Sequence, residues 1–300
     1  MLPALVKRAS EFIASRTSTD KPFFLYFALN SPHTPIVPSA QWQGKSGLGD
    51  YGDFVMETDW AVGQVLEALD KAGVADNTLV IFSSDNGCSR AAGIKGLEAK
   101  GHYPSGPFRG SKSDIWDGGH RVPFFVRWPG KVEAGSHSSQ LISLADFMAT
   151  CAGVLDVKLP ANAGEDSVNL LPALFGNDQG TLREGIVYHS IEGRFGIQQG
   201  RWKLELCPGS GGWSEPKDAT ATRQGLPPVQ LYDMAADFGE KHNTQAEHPE
   251  IVKQQTQLME KYVADGRSTP GPKQNNDAPI NLWKDKGGKN APEDGDLEAN

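Results

Sequence analysis

Three short runs of nearly unbroken apolar residues constrain this chain more than anything else in it. Pro22–Leu29 reads PFFLYFAL, Thr78–Ser83 reads TLVIFS and Val122–Trp128 reads VPFFVRW. Each is too short for a typical helix and rich in aromatic and β-branched side chains, the pattern of a strand covered on both faces. Between the first two, Tyr51–Ala72 carries Phe54, Thr58, Val62, Val65, Leu66 and Leu69 along one helical face, and Gly73 is its stop. Helix alternating with apolar strand predicts an α/β fold on a mixed, mostly parallel sheet. Met1–Ser18 places Leu5, Ala9, Phe12 and Ile13 at helical spacing, so an amphipathic helix is expected there. Lys7, Arg8, Glu11 and Arg16 interrupt it too often for a secretory leader, which leaves localisation unread. Leu141–Val154 reads as a further helix, and Leu170–Gly176 closes a first unit taken as residues 1–180.

The rhythm changes after Arg183. Gly185–Ser190, Phe195–Gln199 and Trp202–Leu206 are short strands with turns at Glu192-Gly193 and Gln199-Gly200, an antiparallel meander. A Gly/Pro/Ser-rich loop, Pro208–Pro228, follows, and Pro249–Ala264 is a helix. Residues 181–265 therefore form a small sheet subdomain, and residues 266–300 are expected to be disordered, being rich in Pro, Gly, Asn and charge. With 29 Lys and Arg against 37 Asp and Glu, the net charge is −8, which argues against a nucleic-acid partner. No apolar run approaches the roughly 20 residues of a membrane span. Three cysteines make no disulfide framework, and their spacing is not that of a zinc site.

Four segments beside the apolar runs carry chemistry, at the strand ends where open α/β sheets bind ligands. Ser31-Pro32-His33-Thr34-Pro35 holds a His on a stiff loop, able to donate to an anionic oxygen or move a proton. Ser83-Ser84-Asp85-Asn86-Gly87 offers two hard oxygen ligands, suited to Ca²⁺ or Mg²⁺. Phe108-Arg109-Gly110-Ser111-Lys112-Ser113 brings cations for an anionic group. Trp116-Asp117-Gly118-Gly119-His120-Arg121-Val122-Pro123 has paired glycines that imply close backbone approach or positive φ. Taken singly, each also reads as an ordinary loop or turn.

In combination they are far more specific. PFFLYFALNSPHTP, VIFSSDNG and FRGSKSDIWDGGHRVPFFVRWPG, in that order, resemble the formylglycine-dependent sulfatases of the alkaline-phosphatase-like superfamily. The similarity extends through Leu231-Tyr232-Asp233 to Gly239-Glu240 and the Asn243–Ile251 stretch, so it spans roughly Phe12–Tyr262. It implies the alkaline-phosphatase-like sulfatase fold, with a small antiparallel sheet and helix at the C-terminal end. It also implies a Ca²⁺ cofactor and a carbohydrate or aryl sulfate ester as substrate. Residue by residue, Asp85 and Asn86 match the family's late pair of calcium ligands, His33 the His on the ester oxygens and Lys112 the Lys on the sulfate group. Arg109 and His102 are further substrate-binding candidates.

The family's nucleophile, a Cys of a C-x-P-S-R motif converted to formylglycine, has no counterpart. Cys88 precedes Ser-Arg-Ala, Cys151 precedes Ala-Gly-Val and Cys207 precedes Pro-Gly-Ser. Ser105-Gly106-Pro107-Phe108-Arg109 imitates the serine form but carries Phe at the fourth position. The early Asp-Asp calcium pair and the G-K-W-H motif are missing from the sequence as well. The expectation is the C-terminal part of a sulfatase, inactive by itself and weak in Ca²⁺ affinity. Its exposed strand edge should lower solubility. Intact relatives are commonly periplasmic, secreted or lysosomal. Two other functions stay open: a non-catalytic product that binds sulfated glycans weakly, and a phosphodiesterase or phosphonate hydrolase of the same superfamily.

Overall fold

The computed structural model describes residues 1–17, 21–177 and 179–284. Helix α1 (Leu2–Arg16) buries Leu2, Val6, Ala9 and Ile13, one stripe at three- and four-residue spacing. Helix α2 (Asp50–Lys71) packs along it. Leu2 and Val6 cluster with Phe54 and Ala61, and Ile13 clusters with Leu69, so the two helices run side by side in the same direction. Each large apolar side chain buried in this way contributes roughly 1.5–3 kcal/mol of transfer free energy.

The Pro22–Leu29 segment lies extended against this pair. Phe23, Leu25, Phe27 and Leu29 pack on the helices, while Phe24 and Tyr26 are 74% and 82% exposed. The expected double-sided burial is therefore met on one face only. Among the described residues this segment makes no ladder hydrogen bonds, so neither of its edges is paired there. The mostly parallel sheet is likewise not present among them. Strand β1 (Val80–Ser83) pairs antiparallel with β2 (Phe124–Arg127), from Val80 opposite Arg127 to Ser83 opposite Phe124. Apolar composition reports burial but not pairing direction, which is why the sequence misled here.

Helices α3 (Ile94–Glu98) and α4 (Asp117–His120) sit in the long connection between β1 and β2. Helix α5 (Phe147–Val154) follows a 3₁₀ turn with a capping box between Ser143 and Asp146. Buried Asp146 also accepts from Val168 N and pairs with Arg183. Helix α6 (Leu171–Leu174) ends the unit.

Strands β3 (Ile186–His189), β4 (Phe195–Gln199), β5 (Trp202–Glu205) and β6 (Gln230–Asp233) form an antiparallel sheet in chain order. The expected meander thus has a fourth strand, and α7 (Asp218–Arg223) forms inside the segment read as loop. Alternation splits the two faces of the sheet. Ile197, Leu204 and Leu231 pack against Leu258, Met259 and Tyr262 of α8 (Pro249–Asp265). Lys203, Glu205 and Tyr232 point the other way, toward the α4 connection.

The expected disorder from residue 266 onward is corrected over Arg267–Lys284. Arg267 donates to the carbonyls of Ala161, Thr269 and Pro272, and Leu282 inserts into the α8 cluster. With the bonds of Ser268 to Asp166, Thr269 to Glu165 and Asn276 to Val263, these contacts hold a stretch whose composition alone reads as unstructured. Residues 285–300 lie outside the described residues. Among the described residues, no helix is long and apolar enough to cross a membrane.

Candidate functional site

The site is assembled by backbone contact between three loops. Gly87 N donates to Gly119 O at 3.0 Å, Lys112 N to Cys88 O at 2.9 Å, and Gly118 N to Arg109 O at 2.7 Å. A Cβ at Gly87 would fall 1.8 Å from Gly118 O, one at Gly118 2.3 Å from Gly110 O, and one at Gly119 2.7 Å from Asp114 O. The Gly-Gly pair is there for close approach, since neither residue has positive φ. This packing sets the Asp85-Asn86 loop beside the Lys112 loop.

His33 reaches the same place from the far side. Lys112 Nζ lies 2.9 Å from His33 Nε2, across 79 residues of sequence. His33 Nδ1 lies 2.9 Å from Thr34 O, which can only accept, so that contact needs a proton on Nδ1. Helix α2 is the platform for this loop. Thr58 Oγ1 bonds Ser31 Oγ at 2.8 Å, and buried Glu57 accepts from both Ser39 N and Ser39 Oγ at 2.8 Å. Asp53 accepts from Gly44 N and Ser46 N at 2.7 Å, and the Ser46 contacts hold its carboxyl below the usual range. Tyr51, nearby on α2, bonds Cys88 and has its phenol pushed up by burial.

Asp85 is exposed and Asn86 half-buried. Asn86 Nδ2 donates to Gly87 O at 2.9 Å, which turns the amide Oδ1 away as a free acceptor. These are two hard oxygen donors of the six to eight that Ca²⁺ takes. Among the described residues no group of three or more His, Cys, Asp or Glu side chains could hold a metal ion.

The other two candidates behave differently. The Arg109 guanidinium lies 3.6 Å from the Trp116 ring centroid and donates to Tyr232 Oη at 3.0 Å and Glu240 O at 2.9 Å. It fastens the Lys112 loop to the small sheet, while its outer face lines a shallow cleft of about 410 Å³ with Lys241. His102 is half-buried behind α3, its N–H on Leu97 O at 3.0 Å.

Beneath the loops lies a charged core that sequence reading missed. Lys203 Nζ is fully buried, 2.5 Å from Glu240 Oε1, 2.7 Å from Asp117 Oδ1 and 3.3 Å from Glu205 Oε1. Glu240 Oε2 accepts from Asp117 N at 2.7 Å, so the first turn of α4 is gripped from the sheet side. Burial pushes the Glu205 and Glu240 carboxyls up. Burial does the same at Asp117, but Lys203 and Arg121 outweigh it and hold that carboxyl below its usual range. His120, stacked 4.9 Å from Tyr188, is driven down to about 4 by burial and then by Lys203. Buried Asp114 joins the Lys112 loop to the 210–214 loop, accepting from Ser111 N at 2.8 Å, Trp213 N at 2.9 Å and Ser214 N at 3.0 Å. Lys203 and Glu205 sit two apart in a strand, and that alternation is the one signal that could have marked a polar inner face.

Lys112 and His33 thus meet directly, and the Cys88–Lys112 backbone bond brings the Asp85-Asn86 loop beside them at the end of β1. The Sulfatase family model matches residues 3–157, and the chain belongs to that family. It is 37% identical over 85% of its length to an N-acetylgalactosamine-6-O-sulfatase of Bacteroides thetaiotaomicron, covering 50% of that protein. It is 32% identical over 89% of its length to the steryl-sulfatase of Rattus norvegicus, covering 49% of it. A solved structure from work on glycosaminoglycan metabolism by Bacteroides thetaiotaomicron is 35% identical. It superposes with a TM-score of 0.75 over 87% of this chain and 54% of that one. The α/β fold is thus the alkaline-phosphatase-like sulfatase fold, and the chain spans about half the length of the relatives it matches.

Proposed function

We propose that these residues form the sulfate-holding and leaving-group side of a sulfuric ester hydrolase site. The observation that carries this reading is the 2.9 Å contact between Lys112 Nζ and His33 Nε2, beside the Asp85-Asn86 loop. A sulfate ester keeps its negative charge on nonbridging oxygens and must expel an alkoxide or phenoxide. Lys112 offsets charge on the sulfate oxygens as a point donor. His33, once protonated at Nε2 and released from Lys112, is the group that gives that proton to the leaving oxygen as the S–O bond breaks, ending as the neutral ring. Asp85 and Asn86 Oδ1 are the atoms that would hold Ca²⁺, which when bound supplies further charge stabilisation to the sulfate oxygens. The sulfur must pass to a nucleophile, and none of Cys88, Cys151 or Cys207 stands in a C-x-P-S-R motif. The 300-residue chain by itself is therefore expected to bind sulfate and turn over negligibly. Carbohydrate and steryl sulfates are the classes that the relatives' names suggest as substrates, and an aryl sulfate is the class the family resemblance adds.

Sulfate binding, followed by a thermal melt with and without Ca²⁺, tests the site. Lys112→Ala and His33→Ala should each weaken it. Unchanged binding in both variants overturns the reading. Turnover of a chromogenic aryl sulfate that Asp85→Ala abolishes would show that the chain supplies its own nucleophile.

A further inference from the structure

We infer that Trp213 and Arg90 form the subsite for the sugar that carries the ester, with Arg90 taking a second anionic group on that sugar or its neighbour. The inference rests on the sulfate site proposed above and assigns that site its substrate class.

Trp202 and Trp213 both belong to the small-sheet region, where an aromatic is more often core than a sugar platform. The structure separates them. Trp202 packs against the α8 cluster and lies 4.7 Å from the His248 ring. Trp213 belongs to none of the apolar clusters among the described residues, and is half-buried. Its backbone is fixed one residue from Lys112, with its N–H shared between Ser113 Oγ at 3.0 Å and Asp114 Oδ1 at 2.9 Å. Gly212 beside it has no room for a Cβ, which would meet Ser113 O at 2.4 Å. This loop is thus held hard against the Lys112 loop, yet its largest side chain is not spent on packing.

Arg90 lies against the same loop. It follows Cys88, whose carbonyl takes the Lys112 N–H, and Ser89 caps the short turn that carries it. Its guanidinium is exposed and touches Trp213 O at 3.4 Å through Nη1. Among the described residues it has no carboxylate partner. An indole outside the core and a guanidinium with no carboxylate partner among the described residues, both anchored next to the Lys112 loop, match a sugar ring presented with a further carboxylate or sulfate. A flat aryl or steryl sulfate would use the indole but leave the guanidinium unanswered.

The test titrates the full chain, by NMR, with N-acetylgalactosamine-6-sulfate, its form with a second sulfate, a uronate-linked disaccharide of it, and para-nitrophenyl sulfate. Trp213→Ala should weaken all three sugar ligands by about tenfold, the equivalent of 1.4 kcal/mol. Trp213→Tyr, which keeps a ring, should restore them and guard against misfolding. Arg90→Ala should leave the singly sulfated sugar and the aryl sulfate unchanged. It should weaken the doubly charged sugars about fivefold, and whichever of the two falls further identifies the anion as sulfate or carboxylate. If Lys112→Ala weakens every ligand while the Trp213 and Arg90 variants bind as the parent does, this inference fails and the sulfate site stands. If Lys112→Ala changes nothing, or the parent chain binds none of the ligands, the sulfate site fails and the inference with it.

Discussion

Lys203 offers the sharpest test of how the site is held. Its ammonium is the only cation ion-paired with the Glu205 and Glu240 carboxylates among the described residues, while Asp117 also has Arg121 at 2.6 Å. Lys203→Met keeps the length and apolar stem and removes the charge. Two buried carboxylates are then left uncompensated, and breaking such a group from one side costs about 3–5 kcal/mol. The sign of the pH dependence follows from the direction of the shifts. Burial already raises Glu205 and Glu240, and loss of Lys203 raises them further. The folded variant then holds more protons than the unfolded chain above the ordinary carboxylate value, so its stability rises as pH falls. Urea melts of both proteins should show the full deficit near about pH 7, shrinking by up to about 1.4 kcal/mol per pH unit for each proton taken up, toward about pH 5. Adding Glu205→Gln should recover part of it at neutral pH. A deficit below about 1 kcal/mol, or one that is the same at both pH values, would refute the account of a buried cluster balanced by one lysine.

Two further outcomes follow from the same geometry. His120, buried and pushed down to about 4, should show no NMR titration in the neutral range. Because the unfolded chain takes up its proton first, this group withdraws stability as pH falls from about 6.5 through about 4, by about 3 kcal/mol in all; a His120 resonance that titrates near neutrality would refute it. Gly87→Ala places a methyl 1.8 Å from Gly118 O, a backbone atom that cannot swing aside. It should destabilise the fold by about 1–3 kcal/mol and weaken sulfate binding by moving the Asp85-Asn86 loop. Parent-like melting and binding would show that the loops are less tightly apposed than described.

The parts of the fold that sequence made legible are those with local causes. The α1 and α2 stripes, the β4 and β5 strands, the α8 helix and the four chemistry-bearing segments each follow from spacing or turn residues within a few positions. What was not legible depends on partners far along the chain. The β1–β2 pairing joins residues more than forty apart, and nothing inside VIFS or FFVR states its direction. Phe24 and Tyr26 look identical in composition to Phe23 and Leu25, and only the position of the helices tells which pair is covered. The Arg267–Lys284 stretch reads as unstructured until the carbonyls that take the Arg267 guanidinium are known.

The candidate site divides in the same way. His33, Lys112, Asp85 and Asn86 are named by motif, but the reason they can meet lies elsewhere. Helix α2 fixes the His33 loop through Thr58 and Glu57. The glycines at 87, 118 and 119 let the Asp85 and Lys112 loops touch. Lys203, on the inner face of a separate sheet, and Glu240, in the connection after β6, then grip α4 at Asp117 from below. Arg109 illustrates the difference best. Its motif position makes it a substrate-binding candidate, yet its guanidinium is bound to Trp116, Tyr232 and the Glu240 carbonyl. A cation three residues from Lys112 thus ties the small sheet to the loop that carries Lys112. A change in the small sheet should therefore be felt at the Lys112 loop through this guanidinium.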